Sequence, residues 1–378
     1  MLFLFMRRLS LAMAFGLGAC TVQAQSWPTE HWQQAPVAPS AALAQLEAYA
    51  FAARDDAART GVRSDALLVI RDGQIVYERY AAPTDADTAH LTWSMAKSVL
   101  ASVLGVAYGE GRFKLDAAVA DYYPPFARHP QVKVGHLLHW ASGLDWQEGY
   151  EYAPLTSSVV AMLYTRGRND MAAFTASHQS AFEPGRHFRY SSGDSNVLSA
   201  ALKTMVGAEA YPDYPWRALF EPLGIDSAVW ERDGAGTFVG SSYVYMTARD
   251  LARIGLLMQR DGRWGERQLL PKAWVEFNRT PFANYDGQLA QPGAPVPGGH
   301  WWLNAELPGR AKPWPDAPAD TFAALGHWGQ GLYVLPSANL VVVRYADDRD
   351  GSFQHNQLLK LVQAAFAKVP AAASEVQP

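Results

Sequence analysis

The stretch Ser94–Tyr108 reads SMAKSVLASVLGVAY, and it decides how the rest of the chain can be arranged. Apolar residues occupy most of its positions on every side, which predicts a buried helix rather than a surface one. Gly109 and Gly111 follow it and are expected to end the helix. Ser94 and Lys97 stand three residues apart at its start, so their side chains share one face of a buried helix.

A lysine at the start of such a helix suggests a chemical role. A serine hydroxyl is a poor nucleophile until a neighbouring base takes its proton, and apolar surroundings disfavour the charged form of a lysine. The opening helical turn also leaves backbone N–H groups free beside Ser94. The pair therefore indicates a nucleophile, Ser94, with Lys97 as its base. A four-residue pattern also arises by chance, and the simpler alternative is a solvated pair.

Two hairpins and two helices surround this segment from opposite ends of the chain. The first hairpin joins residues 66–70 and 74–80 across Asp72-Gly73, and the second joins residues 331–335 and 340–345. Amphipathic helices are predicted over residues 41–54 and 356–368. This order predicts an α/β (α+β) fold, with one antiparallel sheet built from both termini and flanked by helices, plus an inserted, mostly helical lobe.

The expected boundaries follow from that arrangement. Residues 37–85 and 235–368 form the sheet lobe, residues 86–234 form the helical lobe with the Ser94 helix at the interface, and residues 369–378 form a flexible tail. Three further helix starts are predicted. Asp194 or Ser195 caps a helix that runs from Ser195 to Val206, Thr247 opens a helix through Gln259, and Pro271 is the first residue of another.

Two later segments add candidate catalytic groups. Tyr190 precedes a capped helix in the run FRYSSGDSN, and a phenol near an ammonium group ionises more easily and can shuttle a proton. The plainer alternative is a core tyrosine. Residues 326–330 read GHWGQ and lead into a strand, where glycines allow backbone to approach a substrate closely. A strand N–H there could complete an oxyanion hole.

The order of Ser-x-x-Lys, Tyr-x-Ser and a late His-x-Gly resembles the serine β-lactamase and penicillin-binding-protein superfamily. It is most similar to the class-C-like branch that contains 6-aminohexanoate-dimer hydrolase and related esterases. The phrases LLHWASGLDW at 137–146, YMTARDLAR at 245–253 and LLP at 269–271 carry the same resemblance. It spans about residues 67–368 and implies a β-lactamase/transpeptidase-like fold.

The resemblance also implies roles for individual residues. Ser94 would be the acyl-enzyme nucleophile, Lys97 and Tyr190 its proton-transfer partners, and the backbone N–H groups of Ser94 and Gln330 the oxyanion hole. Two departures stand out, because the Tyr-x-Asn of the family is Tyr190-Ser191-Ser192 here, and its Lys-Thr-Gly is His327-Trp328-Gly329. An amide and a fixed positive charge that would hold a β-lactam are therefore missing, which disfavours strong penicillinase activity.

Substrate contacts are expected from the residues at these departures and from nearby aromatic rings. The first group is Ser192, His327, Trp328 and Gly329. For His327 the equal alternative is that it hydrogen-bonds to a residue that contacts substrate without contacting substrate itself. Trp140 and Trp302 are expected in an aromatic-walled cleft suited to apolar acyl chains, and the other tryptophans beside motifs are Trp93, Trp146, Trp301 and Trp328. Ordinary core packing is the alternative for each of them.

The N-terminus has the features of an export signal over residues 1–24. Arg7 and Arg8 precede the apolar run from Leu9 to Ala19, which is too short to span a bilayer. Cys20 follows directly, as the lipid anchor of a lipoprotein would, whereas Val22-Gln23-Ala24 resembles an ordinary cleavage site. Cys20 is the one cysteine of the chain, which excludes an internal disulfide. The expected location is the periplasm or the outer membrane, with attachment through lipidated Cys20.

Composition removes other classes of function. A net charge of -4 over 378 residues, without a basic run, gives no support for nucleic-acid binding. The 10 histidines show no metal-ligand spacing, so neither a metal nor any other cofactor is expected. The predicted function is hydrolysis of small esters or linear amides. Two alternatives stay open: a D,D-peptidase, D-aminopeptidase or β-lactamase acting on peptidoglycan-type substrates, and a non-catalytic penicillin-binding-like protein.

Overall fold

A computed structural model describes residues 27–28, 31–150, 153–288 and 293–366. The predicted signal peptide with Cys20 and the predicted tail at 369–378 lie outside the described residues. Within the described ranges, no helix is both long enough and apolar enough to cross a membrane.

One seven-stranded antiparallel sheet organises the fold, and its strands come from both ends of the chain. Its order is β2-β1-β12-β11-β10-β9-β8. Strand β1 pairs with β12, so that Leu68 faces Val343, and this pairing joins the two terminal hairpins into one sheet as the sequence predicted. The strands are β1 Ser64–Arg71, β2 Gln74–Tyr80, β8 Val296–Pro297, β9 Trp302–Leu303, β10 Phe322–Gly326, β11 Gln330–Leu335 and β12 Leu340–Ala346.

Helices cover both faces of this sheet. Because side chains alternate along a strand, Val342 packs with one apolar cluster and Val343 with the other. Helices α1 (Ala41–Ala50) and α10 (His355–Phe366) contribute to the cluster on the first face. Helix α8 (Ala248–Gln259) packs on the second face, where the larger cluster also holds the Ser94 helix. Central strand β12 is therefore buried throughout.

The inserted part of the chain is mostly helical and packs against the second face. Its small sheet, of order β3-β5-β4, holds the segment that leads into the Ser94 helix. The remaining elements are β3 His90–Leu91, α2 Met95–Gly109, α3 Val134–Leu138, α4 Ser158–Tyr164, α5 Met171–Ala176, α6 Ser192–Val206, α7 Glu221–Leu223, β4 Val229–Trp230, β5 Val244–Met246, β6 Arg263–Trp264, β7 Arg267–Gln268 and α9 Lys272–Asn278.

The observed helix starts confirm one of the predicted capping residues and correct two others. Thr247 caps α8 as predicted, since its side chain accepts a hydrogen bond from the N–H of Asp250. The predicted cap of α6 was wrong, because Ser191 is extended and its Oγ accepts from the N–H of Asp194. Helix α6 therefore begins at Ser192, which brings this residue into the first helical turn. Pro271 directly precedes α9 instead of being its first residue.

Candidate active site

Ser94 stands at a sharp turn between a strand and a buried helix. The small sheet fixes the approach, because Thr92 N donates to Val244 O at 2.9 Å. Trp93 then adopts a left-handed backbone conformation, with φ of 48°, and α2 starts directly after Ser94. The turn leaves the Ser94 hydroxyl at a cavity while the helix behind it is buried.

Lys97 lies one turn along α2 and is held on several sides. Its Nζ is 3.0 Å from Ser94 Oγ, 3.1 Å from Ser192 Oγ and 3.0 Å from Ser241 O. The side chain is almost completely buried. Burial lowers the pKa of Lys97 to about 8, and the negative charge of Glu148 opposes that shift. The predicted proximity of Ser94 and Lys97 is therefore present in the structure, with the lysine in surroundings that favour its neutral form.

Tyr190 lies close to both Ser94 and Lys97. Its side chain interacts with that of Ser94, and its ring centroid lies 4.8 Å from Lys97 Nζ. Burial raises the pKa of Tyr190 well above its usual value, and the charge of Glu148 raises it further. The expectation that the nearby ammonium group would ease ionisation of this phenol was therefore wrong. Tyr190 is a protonated hydroxyl that can pass a proton on.

A cavity of about 510 Å³ opens above these three side chains. Its walls are largely aromatic, as predicted, but most of the rings are not the predicted tryptophans. Trp302 lines the cavity, whereas Trp140 is buried behind Tyr190 and stacks on Trp302 with centroids 5.0 Å apart. The lining residues are Ser94, Glu148, Gly149, Tyr150, Phe188, Tyr190, Tyr285, Ala294, Pro295, Trp302, Leu325, Gly326 and His327.

The GHWGQ segment is a tight turn between β10 and β11, and this changes the roles expected of it. Gln330, whose backbone N–H was expected in the oxyanion hole, pairs with Gly326 inside the hairpin and is not among the lining residues of the cavity. Gly329 faces away as well, because a Cβ there would meet the Asp348 carboxylate at 2.0 Å. Gly326 is the glycine that permits close approach, since a Cβ there would lie 2.6 Å from Thr92 O.

Two neighbouring residues of this turn differ in position, because one lines the cavity and the other does not. His327 lines the cavity and contacts the ring of Tyr150, with centroids 5.1 Å apart. Trp328 is not among the lining residues and instead lies under the Arg349 guanidinium, 3.2 Å from its ring centroid. Of the substrate contacts expected from His327, Trp328 and Gly329, the structure brings His327 to the cavity and leaves the other two outside it.

Ser192 has a different position from the one expected of a substrate contact. Its Oγ is fully buried between Lys97 and Glu148, and it donates to Glu148 Oε1 at 2.5 Å. Glu148 itself was missed by the sequence analysis, although it lines the cavity. Two of the donors to its carboxylate belong to Ser192, 44 positions away in the sequence, so no local spacing signals this contact. The phrase LLHWASGLDW, on which part of the resemblance rests, ends at Trp146, two residues before Glu148.

Tyr150, Phe188 and Tyr285 were also missed as lining residues, because each belongs to an irregular segment whose direction no periodicity predicts. Apart from tyrosines, the ionisable side chains of the described lining are Glu148 and His327, with no lysine or arginine among them. Across the described ranges no group of three or more acidic, histidine or cysteine side chains could hold a metal ion.

Comparison with known proteins places this geometry in a family. The sequence model of the Beta-lactamase family matches residues 48–365. The 6-aminohexanoate-dimer hydrolase of Paenarthrobacter ureafaciens is 26% identical over 337 residues, which cover 85% of this chain and 82% of the relative.

Solved structures show the same fold at lower sequence identity. A penicillin-binding-protein homologue from Caulobacter crescentus superposes with a TM-score of 0.66 at 18% identity, covering 87% of this chain and 98% of that one. EstCE1, a hydrolase with promiscuous acyltransferase activity, gives a TM-score of 0.64 at 17% identity and covers 86% of this chain and 98% of that one. With a family match over most of its length, this chain belongs to the Beta-lactamase family and is a serine hydrolase with the β-lactamase/transpeptidase-like fold.

Proposed function

We propose that this protein hydrolyses small carboxylic esters or linear amides through an acyl-enzyme on Ser94. The observation that carries the proposal is the 3.0 Å contact between Ser94 Oγ and the buried Lys97 Nζ at the floor of an aromatic-walled cavity. A serine hydroxyl paired with a buried amine is the arrangement that nucleophilic attack on a carbonyl requires.

The steps follow from the positions of the three side chains. Neutral Lys97 takes the proton of Ser94 as Oγ attacks the carbonyl carbon and the carbonyl oxygen becomes an oxyanion. Tyr190 passes its proton to the leaving alcohol or amine and is reprotonated from Lys97, and the C–O or C–N bond breaks. Water then attacks the ester formed on Ser94, which releases the acid and restores the serine hydroxyl.

Strand β10 supports a specific oxyanion donor in place of Gln330. Thr321 O accepts from Asn304 N at 2.9 Å on the β9 side of the sheet, so by alternation Leu325 also directs its backbone groups to that side. Gly326 directs its carbonyl to Gln330, and the next N–H, that of His327, points the opposite way, toward the β9 side.

The β9 side of β10 is open at the cavity, because β9 pairs with β10 at Phe322 and Ala323 and not at Leu325 or Gly326. We assign the oxyanion hole to the N–H groups of Ser94 and His327.

The charges of the cavity indicate the substrate class. Its described lining offers an acid, Glu148, and no lysine or arginine to bind a carboxylate, while its rings suit apolar acyl or alkyl groups. The 6-aminohexanoate-dimer hydrolase relative supports an amide, and the EstCE1 structure supports the fold alone. The lack of a lysine or arginine in the described lining favours esters and linear amides over anionic β-lactams.

The test is intact-protein mass spectrometry after exposure to a fluorophosphonate and, separately, to penicillin. We compare the wild type with Ser94→Ala and with Ser102→Ala, a buried serine of the same helix whose Oγ bonds to Ser98 O. An adduct with the fluorophosphonate alone, lost in Ser94→Ala and kept in Ser102→Ala, supports the proposal. Adducts with both reagents would favour a peptidoglycan substrate, and adducts with neither would favour a non-catalytic binder.

We further propose that the protein is exported and attached to a membrane through a lipid on Cys20. The support is the sequence alone: two arginines, a short apolar run and a cysteine directly after it. Incorporation of an alkyne-labelled fatty acid into the wild type and its loss in Cys20→Ser test this attachment. A soluble periplasmic wild type without label would indicate cleavage after Ala24 instead.

A further inference from the structure

Glu148 is anchored against the start of helix α6 by three hydrogen-bond donors. Its Oε2 accepts from Ser192 N at 2.9 Å and from Trp146 Nε1 at 2.5 Å, and its Oε1 accepts from Ser192 Oγ at 2.5 Å. Helix N-termini favour negative charge, so the first turn of α6 stabilises a carboxylate at this place. Glu148 is therefore a fixed carboxylate.

The Ser192 hydroxyl has a single proton, and this decides the direction of the next hydrogen bond. That proton goes to Glu148 Oε1, so toward Lys97 the Ser192 oxygen can only accept. Ser241 O, the second partner of Lys97 Nζ, is a carbonyl and also only accepts. A neutral amine has two N–H donors and one lone pair. With both donors committed to Ser192 and Ser241, the lone pair is left facing Ser94 Oγ, 3.0 Å away.

The charged groups around Lys97 show which acid balances the positive charge of the protonated amine. Glu148 is the acidic group whose charge acts on Lys97, and it does so across the Ser192 hydroxyl. His300 also faces Lys97, but burial lowers the pKa of His300 to about 3, so it is uncharged. Tyr190 and Tyr150 face Glu148 as neutral phenols, and burial raises the pKa of Asp194, a further neighbour of Glu148, to about 7.

We propose that Glu148 is a positioning residue of the reaction, which acts through the Ser192 hydroxyl to aim the Lys97 lone pair at Ser94 and to stabilise the ammonium formed during acylation. This inference rests on the proposed function. It gives the serine that replaces the family's asparagine a role of its own: Ser192 is the link between base and carboxylate. Glu148 then supports Lys97 much as a carboxylate supports the histidine of a Ser-His-Asp triad.

Replacement by glutamine separates this role from a structural one. In Glu148→Gln the amide oxygen can still accept from Ser192 N and Trp146, but its NH₂ must then donate to Ser192 Oγ. The serine proton turns toward Lys97 and occupies the lone pair. We expect the rate of Ser94 labelling by the fluorophosphonate to fall on the order of 100-fold. Removal of the negative charge also lowers the pKa of Lys97. The acidic limb of the pH–rate profile, where labelling speeds up as Lys97 loses its proton, should therefore move to lower pH by at least about half a unit.

The experiment measures this labelling rate from pH 5 to pH 10 in the wild type, Glu148→Gln, Glu148→Asp and Asp145→Asn. Asp145 is an exposed acid of the same segment, paired with Arg189 at 3.1 Å, and its variant should leave both rate and limb unchanged. Glu148→Asp keeps the charge and should keep the wild-type limb at a reduced rate. Thermal unfolding checks that each variant is folded.

A loss of rate in Glu148→Gln together with the shifted limb supports the inference. An equal loss at every pH, with the limb unmoved, would overturn it and leave Glu148 a structural residue. If the wild type shows no Ser94-dependent labelling, the proposed function itself fails, so the two failures are distinguishable.

Discussion

Two buried cations in this protein are neutralised in different ways, and the difference separates a structural site from a chemical one. Arg344 pairs directly with Asp348, through Nη1 to Oδ2 at 2.5 Å and Nη2 to Oδ1 at 3.1 Å. Lys97 meets Glu148 only across the Ser192 hydroxyl. A guanidinium in a two-pronged pair keeps its charge, whereas an amine one hydroxyl away from its carboxylate can gain and lose a proton.

The surroundings of the two cations match these roles. Arg344 also bonds to Ser64 Oγ and Gly329 O, and thereby ties β12 to β1 and to the GHWGQ turn. Every partner of Arg344 belongs to the framework. Lys97 instead contacts the residue that faces the cavity, Ser94. Burial thus keeps the Arg344–Asp348 pair charged, whereas it leaves Lys97, beside Ser94, able to exchange a proton.

The largest effect is expected when Lys97 is replaced by methionine, which keeps the volume and removes the base. Hydrolysis of a model ester should fall by at least about 1000-fold. The free energy of unfolding should change by less than about 2 kcal/mol, because the cost of burying an amine disappears while Ser241 O loses its donor. Ester turnover and urea unfolding measure the two quantities. A stable variant that retains turnover would remove Lys97 from the mechanism.

Replacement of Arg344 by methionine should have the opposite outcome, since it leaves Asp348 buried without its partner. We expect the free energy of unfolding to fall by about 3–5 kcal/mol. The control is Lys360→Met, which breaks an exposed pair with Asp316 at 3.8 Å and should change stability by less than about 1 kcal/mol. Equal effects of the two substitutions in urea unfolding would contradict the contrast between framework and surface pairs.

The smallest effect is expected at Gln330, whose buried amide has no partner within the described residues at either Nε2 or Oε1. Gln330→Met should raise the free energy of unfolding by about 1 kcal/mol and leave ester turnover within about threefold of the wild type. Gln259→Met is the matched control, because it removes a bond from Nε2 to Leu340 O and should cost stability. A large loss of turnover in Gln330→Met would return Gln330 to the active site.

The sequence predicted what depends on short-range spacing and missed what depends on distant packing. Ser94 and Lys97 share a helical face whatever surrounds them, and the terminal hairpins follow from local turn residues. The oxyanion role of Gln330 was expected from the resemblance alone, and strand β10, which makes Gln330 the hairpin partner of Gly326, was not predicted. Glu148 was missed since its partner Ser192 is 44 positions away. In both cases the deciding contact joins segments whose relation only the folded chain establishes.

The stacked rings behind Tyr190 have a consequence for changing what this enzyme accepts. Trp302 contacts both Tyr190 and Trp140, with centroids 5.4 Å and 5.0 Å away, and Trp140 in turn stacks on buried His300. An enlarged cavity at Trp302 would therefore release the Tyr190 phenol, to which we assign the proton transfer to the leaving group. Tyr285 lines the same cavity, and its ring packs against Phe188, with centroids 5.3 Å apart. Laboratory evolution toward bulkier substrates should consequently accumulate substitutions at Tyr285 while Trp302 stays fixed.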